Sequence, residues 1–412
     1  MGISTNKVTA IILSCCIFSF VAAAASAFAA TNYNRIIHGV TSDGRQLGGM
    51  TKDEAEAYFL RTGKQKLARG AAVLQFEDKS FPIRPEEIRL TVDAAAAADA
   101  AYAIGHSGRP FADLATQISC AINGQEIKLP ADFDAKLLAA KIAETAESIN
   151  RQPVNASCDF AENGQITRTA GVSGRKLNQE AVADELAPKL RALQIPATLA
   201  LTPDEQKPFI QDEDLASIDG VLGSYTTRYS PGSRGSNISI ATSRLAHTLI
   251  RSQASFSFNE IVGSRTAAAG YKTAGVILNG RFAQDIGGGV CQVSTTLYNA
   301  VLLSGLTPTD RSPHYYPSTY CPPGRDATVA DGLLDFQFKN QFAHPVYLLT
   351  SDTGSSITIY VLGTMADLEG DTITLASEGS RMRPSLYRIW SRNGEVINRE
   401  YLHTDSYASP MS

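Results

Sequence analysis

One stretch of the chain places a cysteine directly behind three glycines and reads Gly287-Gly288-Gly289-Val290-Cys291-Gln292-Val293-Ser294-Thr295-Thr296-Leu297-Tyr298-Asn299-Ala300. Glycines permit tight turns and close approach of a ligand, and the residues after them are typical of a helix. The sequence therefore predicts Cys291 at a helix N-terminus, where unpaired N–H groups and the helix dipole favour the thiolate, the nucleophilic form in acyl transfer. A buried structural cysteine behind a glycine turn would leave the same pattern.

A cysteine nucleophile needs a base within hydrogen-bond reach, a group that orients the base, and donors for an oxyanion. His314 is the best candidate base because it lies in a predicted loop 23 residues beyond Cys291, whereas His344 begins a predicted strand. Asp326 is the candidate orienting group for His314.

The remaining candidate site residues surround the cysteine in sequence. Backbone N–H groups of Gly288 and Gly289 are predicted oxyanion donors, and the side-chain amide of Gln292 is a further candidate donor. Tyr298 lies two turns along the helix face that carries Cys291, so it either lines a pocket or packs in the core.

The N-terminus resembles an export signal. Lys7 is followed by an apolar run and then by Ala27-Phe28-Ala29, a pattern typical of a signal-peptidase site. Residues 1–30 are therefore predicted to be a signal peptide, and the mature chain to be secreted to the cell envelope. If it is not cleaved, the run from Val8 to Ala30 is long enough to anchor the protein in the membrane.

The overall composition is that of an ordinary soluble protein. A net charge of −4 gives no basic face of the kind that nucleic-acid binding requires, so no nucleic-acid partner is expected. No metal-binding motif such as His-Glu-x-x-His is present, and neither a metal nor a cofactor is expected. A chain of 412 residues is too long for one core, and about two or three domains are expected.

Removal of the signal would leave four cysteines, which are Cys120, Cys158, Cys291 and Cys321. Export makes disulfides possible. Cys120 and Cys158 lie in one region and are a candidate pair, while a Cys291–Cys321 bond would abolish a nucleophile. Spacing does not choose between these, and lipid attachment at the cysteines of the apolar run is a weaker alternative because the run continues past them.

The region before residue 211 is predicted to form two small α+β modules, 34–113 and 114–210. In the first, Thr51 and Glu54 make a capping box ahead of a helix. In the second, residues 117–122 are predicted to form a strand. The expected class is therefore α+β with several domains.

The region after residue 224 is richer in unusual sequence. Asn237 is predicted to cap a helix that presents one apolar face, made of Ile238, Ala241, Leu245 and Leu249. Strands are predicted on both sides of Asp352-Thr353-Gly354, and a β-rich tail over 364–412 is predicted to turn at Arg392-Asn393-Gly394-Glu395.

Within residues 225–363, a series of motifs follows in order: Phe256-Ser257-Phe258-Asn259, Gly263-Ser264-Arg265-Thr266, Gly270-Tyr271, the glycine-cysteine stretch, His314, and Tyr320 with Pro323-Gly324-Arg325-Asp326-Ala327. By these motifs the region resembles the VanW family of bacterial cell-wall proteins. The two predicted N-terminal modules resemble the YoaR-like peptidoglycan-binding modules that precede VanW domains.

The resemblance implies a cell-wall function. Some family members resemble L,D-transpeptidases, in which a cysteine attacks a peptidoglycan stem peptide at the bond after meso-diaminopimelate and passes the acyl group to another stem. Carried over to this chain, the nucleophile is Cys291 and the partners are peptidoglycan stem peptides. Arg325 is then a candidate ligand for a substrate carboxylate, although an ion pair between Arg325 and Asp326 is the simpler interpretation.

Two departures from the family pattern leave alternatives open. Gln253-Ala254-Ser255 replaces the usual Pro-Gly turn, and Cys321 stands where an aliphatic residue is expected. The extra thiol is either harmless packing or the partner of an inhibitory disulfide. The main alternative to an enzyme is a non-catalytic wall-binding or glycopeptide-resistance accessory protein, and a further alternative is an L,D-carboxypeptidase that uses the same residues.

Overall fold

A computed structural model gives the fold of the chain. It describes residue 19 and residues 33–161, 163–278 and 281–409. The predicted signal segment 1–30 thus lies, apart from residue 19, outside the described residues. Within the described part, no helix is both long and apolar enough to cross a bilayer.

The mixed α+β class predicted from the sequence is confirmed. The helices are α1 (Lys52–Leu67), α2 (Ala94–Ala103), α3 (Pro110–Asn123), α4 (Ala135–Ile149), α5 (Gln179–Arg191), α6 (Asp212–Leu215), α7 (Ser233–Leu245), α8 (Phe258–Val262) and α9 (Val290–Leu303). The strands are β1 (Val40–Ser42), β2 (Arg45–Gln46), β3 (Ala72–Phe76), β4 (Lys79–Ile83), β5 (Thr91–Val92), β6 (Gln125–Glu126), β7 (Ala131–Asp132), β8 (Ser157–Phe160), β9 (Ile166–Thr169), β10 (Gly174–Lys176), β11 (Ala197–Ala200), β12 (Asp204–Gln206), β13 (Gly220–Arg228), β14 (Thr248–Ile250), β15 (Ser255–Ser257), β16 (Thr273–Leu278), β17 (Arg281–Ile286), β18 (Thr307–Asp310), β19 (Gln337–Lys339), β20 (Val346–Asp352), β21 (Ser356–Gly363), β22 (Thr372–Ser380), β23 (Arg383–Arg392) and β24 (Glu395–Thr404).

The chain divides into two compact units. The first contains the described residues up to 152 together with 174–206, and the second contains 153–173 with residues from 207 onward. In the first unit, β11 pairs in parallel with β3, and β3 pairs antiparallel with β4. Strands from both predicted N-terminal modules therefore share one sheet, and the finer division at 34–113, 114–210, 225–363 and 364–412 stays a prediction.

Local signals explain where two helices of the first unit lie. The capping box before α1 is confirmed, since Glu54 N donates to Thr51 Oγ1 at 3.2 Å and Thr51 N donates to Glu54 Oε2 at 2.8 Å. The predicted strand at 117–122 is wrong, because these residues belong to α3. Pro110 starts this helix, and its spacing buries Gln117 while Ile118 stays exposed.

The second unit is built on a four-stranded sheet with the order β13-β21-β20-β14. The buried helix α9 packs against β13 and β21. Smaller sheets, β15-β19-β18 and β22-β23-β24, complete the unit. The strands predicted around Asp352-Thr353-Gly354 and the hairpin turn at residues 392–395 are confirmed.

Asn237 lies inside α7 and does not cap it, so that prediction is wrong. The helix begins earlier, at Ser233, directly after Gly232 with φ 124°. The fully buried Asn237 amide donates to the carbonyl oxygens of Lys272 at 2.8 Å and Gly288 at 3.0 Å, and accepts from Lys272 N at 2.8 Å. Leu249, predicted on the same helix face, lies in β14.

We expect Asn237→Ala to lower the free energy of unfolding of the second unit by about 2–4 kcal/mol, because three backbone groups lose the hydrogen bonds that this fully buried amide makes to them. The single tryptophan, Trp390, lies in this unit, so its fluorescence during urea denaturation reports the change. Asn237→Asp should cost at least as much, since a carboxylate cannot donate to two carbonyls. The exposed control Asn398→Ala should stay within about 0.5 kcal/mol. A similarly small cost for Asn237→Ala would contradict this role.

Candidate active site

Cys291 is the second residue of helix α9. The helix begins at Val290, after Gly289, whose φ of 109° lies in the left-handed region that favours glycine. The first N–H groups of a helix have no carbonyl partner four residues back. The predicted position of Cys291 at a helix N-terminus is therefore confirmed, and the residue is partly exposed.

The three glycines allow other groups to pack against this helix start. A Cβ atom on Gly287 would lie 2.9 Å from Cβ of Arg265, and one on Gly288 would lie 2.7 Å from the carbonyl oxygen of Gly275. A Cβ on Gly289 would lie 2.8 Å from Cγ of Arg234. Any larger residue would therefore displace β16 or one of two arginines from the surroundings of Cys291.

Polar side chains of α9 hold the segment that contains Asp326. Ser294 Oγ donates to the carbonyl oxygen of Ala327 at 2.7 Å, and Ala327 N donates to Thr295 Oγ1 at 3.0 Å. Asn299 Nδ2 donates to the carbonyl oxygen of Arg325 at 2.7 Å. These buried contacts fix the Asp326 backbone beside the helix that carries Cys291.

The structure brings together Cys291, His314 and Asp326. Asp326 Oδ2 accepts from the backbone N–H of His314 at 2.6 Å and lies 2.7 Å from ring atom Nδ1. The Cys291 thiol donates to the carbonyl oxygen of Val329 at 3.3 Å and lies close enough to the His314 imidazole for each group to shift the pKa of the other. The Asp326 side chain is only 1% exposed, so its charge is shielded from water and acts mainly on His314 and its other protein partners.

The pKa values of this group move in opposite directions. Burial alone would raise the pKa of Cys291, but the hydrogen bond and charge of His314, together with Arg265, lower it below the ordinary value. Burial alone would lower the pKa of His314, but its hydrogen bonds to Asp326 and then Cys291 raise it to about 9. Asp326 keeps a lowered pKa despite its burial, because His314 and Arg311 stabilise its anion. This arrangement favours a thiolate–imidazolium pair.

Arg265 lies near Cys291 but was not among the site residues predicted from the sequence. Its side chain is 8% exposed and forms an ion pair with Asp331, while Nη2 donates to Asn259 Oδ1 at 2.7 Å. Within the described residues, its Nε is buried without a hydrogen-bond partner. Its place in the Gly263-Ser264-Arg265-Thr266 motif was the signal that could have found it.

Gln292 and Tyr298 have structural partners. Gln292 Nε2 donates to Thr227 Oγ1 at 3.0 Å and to the carbonyl oxygen of Arg228 at 2.8 Å, so this amide ties α9 to β13. The hydroxyl of Tyr298 lies 2.9 Å from His403 Nε2 in the core, where burial raises the pKa of Tyr298. Neither side chain has its polar end directed to Cys291.

Arg325 binds β22, and Cys321 forms no disulfide with Cys291. The Arg325 guanidinium donates to the carbonyl oxygen of Leu375 and to Ser377 Oγ, both in β22. Cys321 is a free, buried thiol, and burial raises its pKa to about 12. Cys120 and Cys158 are likewise free in the structure. The oxyanion role of Gly288 and Gly289 stays a prediction.

In the part of the chain that the structure describes, no group of His, Cys, Asp and Glu residues is arranged to hold a metal ion. The side chains that the site itself offers are a thiol, an imidazole with a buried carboxylate, and a neighbouring guanidinium.

Comparison with known proteins agrees with the motifs. Residues 233–362 match the family "VanW like protein", and residues 81–195 match the family "Putative peptidoglycan binding domain". YoaR, an uncharacterized protein of Bacillus subtilis, is 36% identical over 224 residues, which are 53% of this chain and 72% of that protein. The chain belongs to the VanW-like family. No solved structure matches it.

A second relative gives the family its name. The vancomycin B-type resistance protein VanW of Enterococcus faecalis is 31% identical over 109 residues, which are 25% of this VanW-like chain and 40% of that protein. The resemblance predicted from the sequence motifs is therefore confirmed. The peptidoglycan-binding match suggests a location in the cell envelope.

We expect iodoacetamide to alkylate Cys291 faster than Cys120 or Cys158 at pH 7, because burial raises the pKa of both those thiols while that of Cys291 is lowered. Peptide-level mass spectrometry measures each rate separately. The midpoint for Cys291 should lie below the free-thiol value of about 8.5. Equal labelling of all cysteines in the folded protein would count against a thiolate at this site.

Replacement of Arg265 by leucine should raise the alkylation midpoint of Cys291 by about 0.5–1 pH unit, since a neighbouring positive charge is lost. Arg265→Lys should restore part of the shift. Arg392→Leu removes an arginine whose side chain is 43% exposed in the C-terminal sheet, and should leave the midpoint unchanged. An Arg265→Leu midpoint equal to that of the wild type would remove Arg265 from the site.

Proposed function

We propose that this VanW-like protein is an exported enzyme that remodels peptidoglycan by cysteine-dependent acyl transfer of the L,D-transpeptidase type. The observation that carries the proposal is the series of contacts from the Cys291 thiol through His314 to the buried Asp326. A nucleophile, a base and an orienting carboxylate are the groups that acyl transfer needs.

The proposed reaction has two steps. The Cys291 thiolate attacks the carbonyl carbon of the bond after meso-diaminopimelate in a donor stem peptide. The C–N bond breaks, His314 gives a proton to the departing D-alanine amine, and a thioester remains on Cys291. The side-chain amine of a second stem then attacks the thioester and forms a 3–3 link, while His314 takes the released proton and the thiolate is restored.

Two further features support this substrate class. The match of residues 81–195 to a peptidoglycan-binding family makes stem peptides the expected partner. A protonated His314 and the nearby Arg265 also place two positively charged groups beside the thiol, and such groups would stabilise anionic intermediates and attract carboxylate-rich peptides. Water in place of the acceptor amine would make the same residues an L,D-carboxypeptidase.

The test is incubation of the chain from residue 31 onward with tetrapeptide-rich muropeptides, followed by mass spectrometry. A transpeptidase releases D-alanine and forms 3–3 linked dimers, and Cys291→Ala should abolish both products. The rate should fall above about pH 9, because the pKa of His314 is raised to about 9 and its proton is needed by the leaving amine.

The matched control is Cys120→Ala, which removes a thiol from the other unit and should retain turnover. Both variants should still sediment with purified sacculi. Release of D-alanine without dimers would assign the carboxypeptidase activity. Turnover by Cys291→Ala would disprove the nucleophile, and no product from the wild type with several stem types would favour the non-catalytic accessory protein.

A further inference from the structure

The end of the chain folds back beside the loop that carries His314. After β24, Tyr407 N donates to the carbonyl oxygen of Met382 at 2.9 Å, and Ala408 N donates to that of Tyr315 at 2.9 Å. Tyr407 is 6% exposed. This segment lies beyond residue 362, where the match to the VanW-like family ends.

Two groups associated with this segment contact the buried carboxylate of Asp326. The Tyr407 hydroxyl donates to Asp326 Oδ1 and accepts from Gly324 N at 2.9 Å. Arg311 Nη2 lies 3.3 Å from Oδ1, and Arg311 Nε donates to the Asp326 carbonyl oxygen at 2.6 Å. The two carboxylate oxygens therefore have different partners: Oδ2 contacts His314, and Oδ1 contacts Tyr407 and Arg311.

Arg311 is itself held by the chain end. Its Nη1 and Nη2 donate to the two carboxylate oxygens of Asp405 at 2.6 and 2.7 Å, a bidentate pair with both side chains at most 8% exposed. A planar guanidinium fixed in this way presents its remaining donors in one geometry. The orientation of the Asp326 carboxylate therefore depends on residues near the C-terminus.

We propose that Tyr407 and Arg311, the latter held by Asp405, are positioning residues that fix Asp326 so that it directs His314 toward Cys291. This inference rests on the proposed roles of those three residues. If it holds, residues 405–407, which lie outside the matched family region, belong to the active site.

The competing interpretation is a network that only stabilises the fold, as buried ion pairs often do. The charged and titratable groups around Asp326 include His314, Arg311, Tyr407, Tyr298 and Cys321. Those that face Cys291 are His314, Arg265 and Tyr320. Because only His314 belongs to both sets, a change at Tyr407 can reach the thiol through Asp326 and His314.

The experiment measures the pH midpoint of Cys291 alkylation by iodoacetamide in the full chain carrying Tyr407→Phe. Without the Tyr407 hydrogen bond, Asp326 is less well oriented and stabilises the His314 imidazolium less, so the midpoint of Cys291 alkylation should rise by about 1 pH unit. At a fixed pH below the midpoint, this corresponds to an alkylation rate that is lower by about tenfold. Tyr401→Phe is the matched control, because Tyr401 is an exposed tyrosine of β24 whose hydroxyl donates to Thr404 Oγ1 at 3.0 Å. Its midpoint should equal that of the wild type.

A second variant guards against loss of folding, because Tyr407→Phe leaves Gly324 N without its partner. Arg311→Lys keeps the buried charge but loses the bidentate geometry, so it should fold and raise the midpoint in the same direction. Thermal unfolding of each variant separates stability from reactivity. If Tyr407→Phe does not fold, Arg311→Lys decides.

An unchanged midpoint in the folded variants would overturn the inference and leave a structural network. A midpoint moved to lower pH would also overturn it, since it would mean that the remaining hydrogen bond to His314 became stronger when Oδ1 was freed. The muropeptide assay is read separately. If the variants raise the midpoint but the wild type turns over no substrate, the positioning role stands and the proposed enzymatic activity is refuted. If the wild type turns over substrate but the variants leave the midpoint unchanged, the enzymatic activity stands and the positioning role is refuted.

Discussion

The constraint on which the site depends is the burial of one negative charge, that of Asp326. A carboxylate that is 1% exposed stays ionised only when donors replace the lost water. His314, Arg311 and Tyr407 supply those donors, and its pKa is lowered as a result. The stabilised anion in turn raises the pKa of His314 to about 9, which keeps a positive charge beside the Cys291 thiol.

The glycine-cysteine stretch acts as a packing device as well as a helix start. Its glycines admit β16, Arg234 and Arg265 at distances that no side chain would allow. Behind the thiol, the polar residues of α9 hold other parts of the protein: Ser294 and Thr295 bind the Ala327 backbone, while Gln292 binds Thr227 and Arg228 of β13. One short segment therefore both exposes the thiol and places Asp326 beside it.

Local patterns predicted the elements whose signals are local. The capping box at Thr51 and Glu54 and the turn at residues 392–395 follow from a few adjacent side chains, and both are present. The strand expected at 117–122 failed because its apolar residues also fit a helix, and Pro110 with the preceding loop starts one there. The capping role predicted for Asn237 was wrong because its side-chain amide binds the distant carbonyl groups of Lys272 and Gly288.

The sequence by itself determined the family and the helix start at Cys291, and it named His314 and Asp326 as a candidate base and orienting group. Residue type and short spacing carry that information. Only the tertiary structure decided that Arg265 flanks the thiol, that Arg325 is committed to β22, and that Tyr407 and Asp405 support Asp326. The physical reason is sequence distance. Contacts made by residues up to 94 positions apart, such as Arg311 with Asp405, depend on how separate elements pack, and no local periodicity records them.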